Sequence, residues 1–446
     1  MVGRLLLLTA ICLVVFYCRT PSNQSSSALS DNEWQDDKRI TIIGMTDFHG
    51  KIDGEQRDGR MYQGAEYVAQ YIKAIKDSRP GNNPVFIVDA GDLFQGSMES
   101  NFLEGQPVLK WYNDVIGLHA AAFGNHEVDF GATNPPPLRR GDRMEFPIVS
   151  APRPGTDDHP QGALRDVIVP GANFPFLGVN VFSDSNPNNR KRYCNTPEAR
   201  PGDRPDWLKP SILYHVLEDG SIISAGSGGD NVKIKVGIIG ATSVVTPDTT
   251  SRTLLKGLCV DAENTAKLIT DEAIKLRRAG ADYVILTMHE GGACDVLSQR
   301  GPTDLTDCEI NKGHLFHLFC ESNDTNGSGG TEDEYRACTN DRSHRGKFIP
   351  REVDIDGRRT KLIDVMVGGH THARVVKYLW NAKVAVLQNQ AKGKELSYVT
   401  LDQNTVADDL GDDRNQPRLA KQPVEVVGIP IRENDSRYRD CAHMPK

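Results

Sequence analysis

An α/β fold is predicted by three observations. Short apolar runs recur along the chain, amphipathic helical patterns lie between them, and Gly, Pro or polar clusters punctuate both. Residues 39–47, 84–92, 232–240, 282–289 and 362–370 read as strands, being short, rich in Val and Ile, and closed by Gly or polar residues. Between the first two, Ala65, Val68, Tyr71, Ile72 and Ile75 share one helical face, and Pro80-Gly81 mark a stop. Pro107 suits the first position of a second helix, with Val108, Trp111, Tyr112 and Val115 behind it. Ala262, Ala266, Ile269, Ala273 and Leu276 form a third stripe, ended by Gly280.

Composition sets the limits. A chain of 446 residues has a prior of roughly three domains. At 38% hydrophobic residues it can bury a sizeable core, which excludes global disorder. The net charge of −8 leaves no basic excess, which argues against binding a nucleic acid polymer through a cationic surface.

Residues 1–30 read as an export leader with a polar linker. Arg4 precedes thirteen mostly apolar residues, Leu5 to Tyr17, which fit a secretory h-region and fall short of a spanning helix. Cys18 closes the run as a lipoprotein acceptor would, although Tyr17 is large where that pattern has a small residue. Three readings stay open: lipidation at Cys18 with membrane attachment, an ordinary cleaved signal, and an uncleaved anchor. All three place the protein outside the cytoplasm, in the periplasm or at the cell surface. Beyond the leader, seven cysteines remain (Cys194, Cys259, Cys294, Cys308, Cys320, Cys338 and Cys441), enough for three disulfides at most. Four of them cluster between 294 and 338, which suggests a stapled insertion. The expected organisation is one domain over 31–402, insertions at about 132–170 and 291–360, and a polar tail over 403–446 in which only residues 424–431 could form a strand.

Chemistry concentrates where the apolar runs end. The first ends in Asp47-Phe-His49-Gly, the second in Gly-Asp92, and residues 120–123 lead into Gly124-Asn125-His126-Glu127. Later runs end in His289 and in Gly-Gly-His370-Thr-His372. A lone strand-end Asp is usually a cap and a lone His usually a satisfied core residue. Five such endings in series, each beside Gly, are not explained that way. In open α/β sheets the carboxyl ends of strands are where ligands converge. Mixed Asp, Asn and His donors suit Zn²⁺ or Mn²⁺, whereas Ca²⁺ takes oxygen alone.

This ordered set resembles the calcineurin-like metallophosphoesterases. Residues 89–97 (Asp-Ala-Gly-Asp-Leu-Phe-Gln-Gly-Ser) and 124–129 (Gly-Asn-His-Glu-Val-Asp) are similar to the 5′-nucleotidase branch. The resemblance covers about residues 39–402 and implies a four-layer α-β-β-α sandwich of two mixed sheets. It implies one metal on Asp47, His49, Asp92 and His372, and a second on Asp92, Asn125, His289 and His370, with Asp92 as the bridge. It also pairs His126 with Asp129 as a catalytic dyad, with capping of the following turn by Asp129 as the lesser alternative. The chemistry so implied is hydrolysis of a small phosphate ester by a hydroxide bridging the two metals. Glu127 receives no role.

The 5′-nucleotidases carry a further domain that clamps the nucleobase, and only about 44 residues follow position 402 here. Nucleotides are therefore one candidate class among small phosphate esters. Phe316, His317, Phe319 and Tyr335 could stack on a ring, or pack beneath the stapled insertion. Two other functions compete: a sulfur-ester hydrolase of the thiosulfohydrolase type on the same site, and a surface binding protein on a retired scaffold.

Overall fold

The computed structural model of the chain describes residues 38–57, 60–62, 64–79, 83–130, 138–140, 143–145, 161–227, 231–294, 310–312, 318–319, 347–379, 382–402 and 423–430. The leader with Cys18, the helix stop at Pro80-Gly81, Cys308, Cys320, Cys338 and Cys441, and Phe316, His317 and Tyr335 lie outside the described residues.

Thirteen of the described strands build two large sheets. In chain order they are β1 (Arg39–Met45), β2 (Val85–Asp89), β3 (Ala120–Ala122), β4 (Phe176–Leu177), β5 (Ser211–Leu217), β6 (Ile222–Ser224) and β7 (Val232–Ala241). They continue with β8 (Tyr283–Met288), β9 (Val365–Gly368), β10 (Val375–Leu379), β11 (Val384–Gln388), β12 (Glu395–Asp402) and β13 (Pro423–Pro430). The first sheet has the order β13-β12-β1-β2-β3-β4 and the second β6-β5-β7-β8-β9-β11-β10. β1 to β4 run parallel, as do β7, β8, β9 and β11, while the outer strands pair antiparallel, so both sheets are mixed. The three predicted helices are α1 (Ala65–Asp77), α2 (Gln106–Trp111) and α3 (Thr265–Arg278).

The period of two along each strand sorts the side chains into layers. Ile40 and Ile42 of β1, Phe86 and Val88 of β2, Tyr283 and Ile285 of β8, and Val365 and Val367 of β9 meet in one cluster between the sheets. Their neighbours point the other way. Ile43, Met45 and Ile87 pack on α1 and α2, and Val284, Leu286 and Met366 pack on α3. Central strands buried on both faces are why these runs read as unbroken apolar stretches. The result is the four-layer α-β-β-α sandwich.

Three local features depart from the sequence pattern. Val115, expected on the apolar stripe of the second helix, is 56% exposed while Ile116 is buried. The reason is a π-helical turn over Tyr112–Ile116, closed by the Gly117 N–H on Tyr112 O, which shifts the stripe by one residue. The end of the insertion expected at about 132–170 is helical from 162 to 171, and its Leu164 and Ile168 join the core under the first sheet. Cys194 pairs with Cys259, 65 residues on, with 5.0 Å between their Cα atoms. Phe319 is buried in the cluster beside α3, so of the aromatic residues considered for ring stacking this one packs. Cys294 lies in a short strand paired with Ile310–Lys312.

Candidate metal centre

The two sheets touch at the ends that carry the predicted donors. The Thr287 hydroxyl donates to Asp89 O at 2.7 Å, and His289 Nδ1 donates to Ala90 O at 2.9 Å. Asp47 and His49 follow β1, Asp92 follows β2, Asn125 and His126 follow β3, His289 follows β8, and His370 and His372 follow β9. All seven predicted donors come together, although His49 and His372 are 323 residues apart in sequence.

The turns that aim them are costly. Asp47 (φ 48°), His49 (49°), Asp92 (58°), His370 (73°) and His372 (56°) all have left-handed backbones. Each such non-glycine residue costs roughly 1–3 kcal/mol, and strain of this kind gathers where function needs a geometry. Close approach adds a second constraint. A Cβ on Gly124 would lie 2.3 Å from Asp92 Oδ1 and 2.4 Å from Glu127 Oε2, so only glycine lets these loops meet.

The atoms that face one another are mostly acceptors. His49 Nδ1 donates to Gln95 O at 3.1 Å, which leaves its Nε2 bare, 3.0 Å from His372 Nε2. His372 Nε2 lies 3.4 Å from Asp47 Oδ1. His289, with Nδ1 on Ala90 O, turns Nε2 to Asn125 Oδ1 at 2.9 Å and Asp92 Oδ2 at 3.1 Å. His370 Nδ1 lies 3.0 Å from the same Asn125 Oδ1. Asp92 Oδ2 faces His289 and, at 3.9 Å, His49, while Oδ1 accepts the His126 N–H at 2.8 Å. One carboxylate oxygen, rather than one from each side, therefore stands between the two donor groups.

Lone pairs converging at about 3 Å repel unless a proton or a metal cation lies among them. Asp47 and Asp92 are buried, and among the described residues their ion-pair partners are histidines alone. Buried charges are paired or coordinate metals. Burial lowers the His289 pKa, but Asp92, Asp47 and Glu127 carry it up to about 10, so without a metal a proton sits on Nε2 between His289 and Asp92, in the place that a bound cation would take. The residues fit divalent metal ions: separations near 3 Å are what neighbouring ligands have when each sits about 2.0–2.2 Å from one metal.

His126 stands at the edge of this cluster. Its Nδ1 donates to Asp129 Oδ2 at 2.5 Å, and Asp129 Oδ1 accepts from the Thr250 hydroxyl at 3.3 Å. Burial lowers the His126 pKa, but the Asp129 bond and the Asp92 charge outweigh it and leave it raised. His126 and His372 are the solvent side of the site, with side chains 29% and 47% exposed.

Glu127, left without a role by sequence, braces the centre from below. Its buried carboxylate accepts the N–H groups of Asp92 (3.0 Å), Leu93 (2.8 Å) and Gly124 (2.6 Å), tying the Asp92 loop to the Asn125 loop. The signal available in sequence was an acid three residues after Gly124 with no Lys or Arg nearby, which does not reveal backbone partners. Glu127→Ala strands three buried donors at about 1–3 kcal/mol each. The variant is expected to lose about 3 kcal/mol or more of unfolding free energy, measurable by denaturant titration.

The sequence profile described as calcineurin-like phosphoesterase matches residues 40–287. The chain belongs to that family. Among curated relatives of this phosphoesterase, a snake venom 5′-nucleotidase of Gloydius brevicauda is 31% identical over 150 residues, covering 32% of this chain and 24% of that protein. The corresponding protein of Crotalus adamanteus is 25% identical over 255 residues, 56% of this chain and 33% of its own length. The matches thus span a quarter to a third of the relatives' length. A Staphylococcus aureus structure assigned as a 5′-nucleotidase superposes with a TM-score of 0.50 at 17% identity, over 90% of this chain and 55% of that one. At that identity the likeness speaks for the fold.

Proposed function

We propose that the chain is an exported phosphoesterase that uses two divalent metal ions, Zn²⁺ or Mn²⁺, to hydrolyse small phosphate esters, with nucleotides the leading candidate class. The observation that carries this reading is the convergence of seven buried or half-buried donors as two acceptor-lined groups that share Asp92 Oδ2. In it, Asp47, His49, Asp92 and His372 hold one ion, and Asp92, Asn125, His289 and His370 hold the other. Membership of the phosphoesterase family and the 5′-nucleotidase names of its relatives support the substrate class. The Cys194–Cys259 disulfide and the leader pattern support an oxidising location outside the cytoplasm.

Divalent cations held by these residues would supply Lewis acidity toward phosphoryl oxygens and would make a hydroxide nucleophile available near neutral pH. The protein's own groups do the rest. Asp47 and Asp92 leave the loaded centre net positive and so attractive to a phosphate anion. Asp129 holds the Nδ1–H of His126, fixing the tautomer, so that the protonated ring offers its Nε2–H to the leaving oxygen. The half-exposed edge formed by His126 and His372 is where an ester reaches the centre.

A substrate panel on metal-reconstituted protein tests this, with AMP, cyclic nucleotides, bis-p-nitrophenyl phosphate and thiosulfate adducts. The expected result is metal-dependent release of phosphate from the nucleotide monoester. Release of sulfate from the thiosulfate adduct alone, or no hydrolysis of any member, overturns the reading.

A further inference from the structure

One side chain links three of the donor histidines without touching any of them. Gln388 ends β11 and is fully buried. Its register partners are Gly368, where β9 ends, and Val375, where β10 begins. The connection between those partners, residues 369–374, carries His370 and His372 and passes over the end of β11. The Gln388 amide fills the space beneath it. Nε2 donates toward Ala373 O at 2.7 Å, Thr371 Oγ1 at 2.8 Å and Gly292 O at 3.1 Å, and Oε1 accepts the Gly292 N–H at 2.9 Å. The Thr371 hydroxyl donates to the same Gly292 O at 2.7 Å.

Gly292 lies three residues past His289, so the amide joins the segment after that histidine to the segment carrying the other two. The fit is tight. A Cβ on Gly291 would lie 2.3 Å from Gly369 O and 2.4 Å from Thr371 Oγ1, so the two segments have no slack between them. Gly292 presents a buried donor and a buried acceptor to the same side chain, and the Gln388 amide answers both at once, one from each of its two polar atoms. Glutamate would put a second oxygen against three acceptors, and leucine would answer none. A glutamine needed only to satisfy the core would not have to bridge two ligand-bearing segments.

We infer that Gln388 is a positioning residue. It fixes the spacing between His289 and the His370–His372 segment, and through that spacing it sets the affinity of the centre for divalent ions. The inference rests on the ligand assignment above. Partners that orient metal ligands change affinity by about 10–100-fold when removed.

The test is chelator-competition titration of metal-free protein with Mn²⁺, for wild type, Gln388→Leu and Gln388→Glu, beside Gln161→Leu as control. Gln161 is also buried and donates to Lys256 O at 2.8 Å, a bond that touches neither donor group. Thermal unfolding of each variant is recorded in parallel. Both Gln388 variants are expected to bind Mn²⁺ about 10–100-fold more weakly, with Gln161→Leu unchanged despite a comparable fall in Tm. Equal affinities across folded variants, or an equal loss in the control, overturn the inference while leaving the metal assignment intact. A wild type that binds no Mn²⁺ or Zn²⁺ fails the assignment itself. If the Gln388 variants do not fold, Thr371→Val, which keeps shape and removes one linked hydroxyl, decides by the same titration. Weaker binding supports the inference, and wild-type affinity overturns it.

Discussion

Asp92→Asn is expected to lower metal content at both positions, from two equivalents to less than one. Its Oδ2 faces His289 and His49 together, and its charge is one of two buried carboxylates available to hold the ions. The amide keeps the shape but removes the charge and turns a donor NH₂ toward the centre or toward the His126 N–H. His49→Ala and His289→Ala each remove a donor from one group and should each lower mainly one equivalent. Elemental analysis of the purified proteins reads this directly. Two full equivalents in Asp92→Asn would remove the bridge from the account.

His126→Ala is expected to lose about 10²–10⁴-fold in kcat with metal content unchanged, the range typical of general acid catalysis. The size should depend on the leaving group. A p-nitrophenolate departs with little protonation, so its hydrolysis should suffer far less than that of a nucleoside monophosphate. Asp129→Asn should fall between, because the amide can still hold the ring but no longer favours the same tautomer or charge. Equal losses for good and poor leaving groups, or loss of metal from His126→Ala, would contradict the role.

Much of the fold, and the meeting of the seven strand-end donors, was legible in the sequence, for identifiable reasons. Central strands buried on both faces, such as Tyr283–Met288, leave continuous apolar runs, and Asp or His after such a run is conspicuous. The donors of the centre could therefore be read off strand ends. What stayed hidden depends on where the chain goes next. The π-helical turn that moves Val115 outward is a backbone choice that a 3.6-residue stripe does not encode. The left-handed φ of Asp47, His49, Asp92, His370 and His372 is imposed by the surrounding loops on residues that do not favour it. Cys194 and Cys259 meet only because Tyr193 and Val260 are brought side by side, a pairing that counting cysteines cannot select. Glu127 and Gln388 act on backbone atoms distant in sequence, and their residue types carry no mark of that.

The central claim is that these loops hold two metal ions joined through Asp92. Anomalous diffraction from crystals of the protein soaked in Mn²⁺ measures this most directly. The account predicts two peaks about 3.5–4 Å apart, the spacing of two-metal hydrolytic sites, with Asp92 Oδ2 between them, His49 and His372 on one and His289 and His370 on the other. A single peak, or two peaks with Asp92 bound to only one, would contradict it.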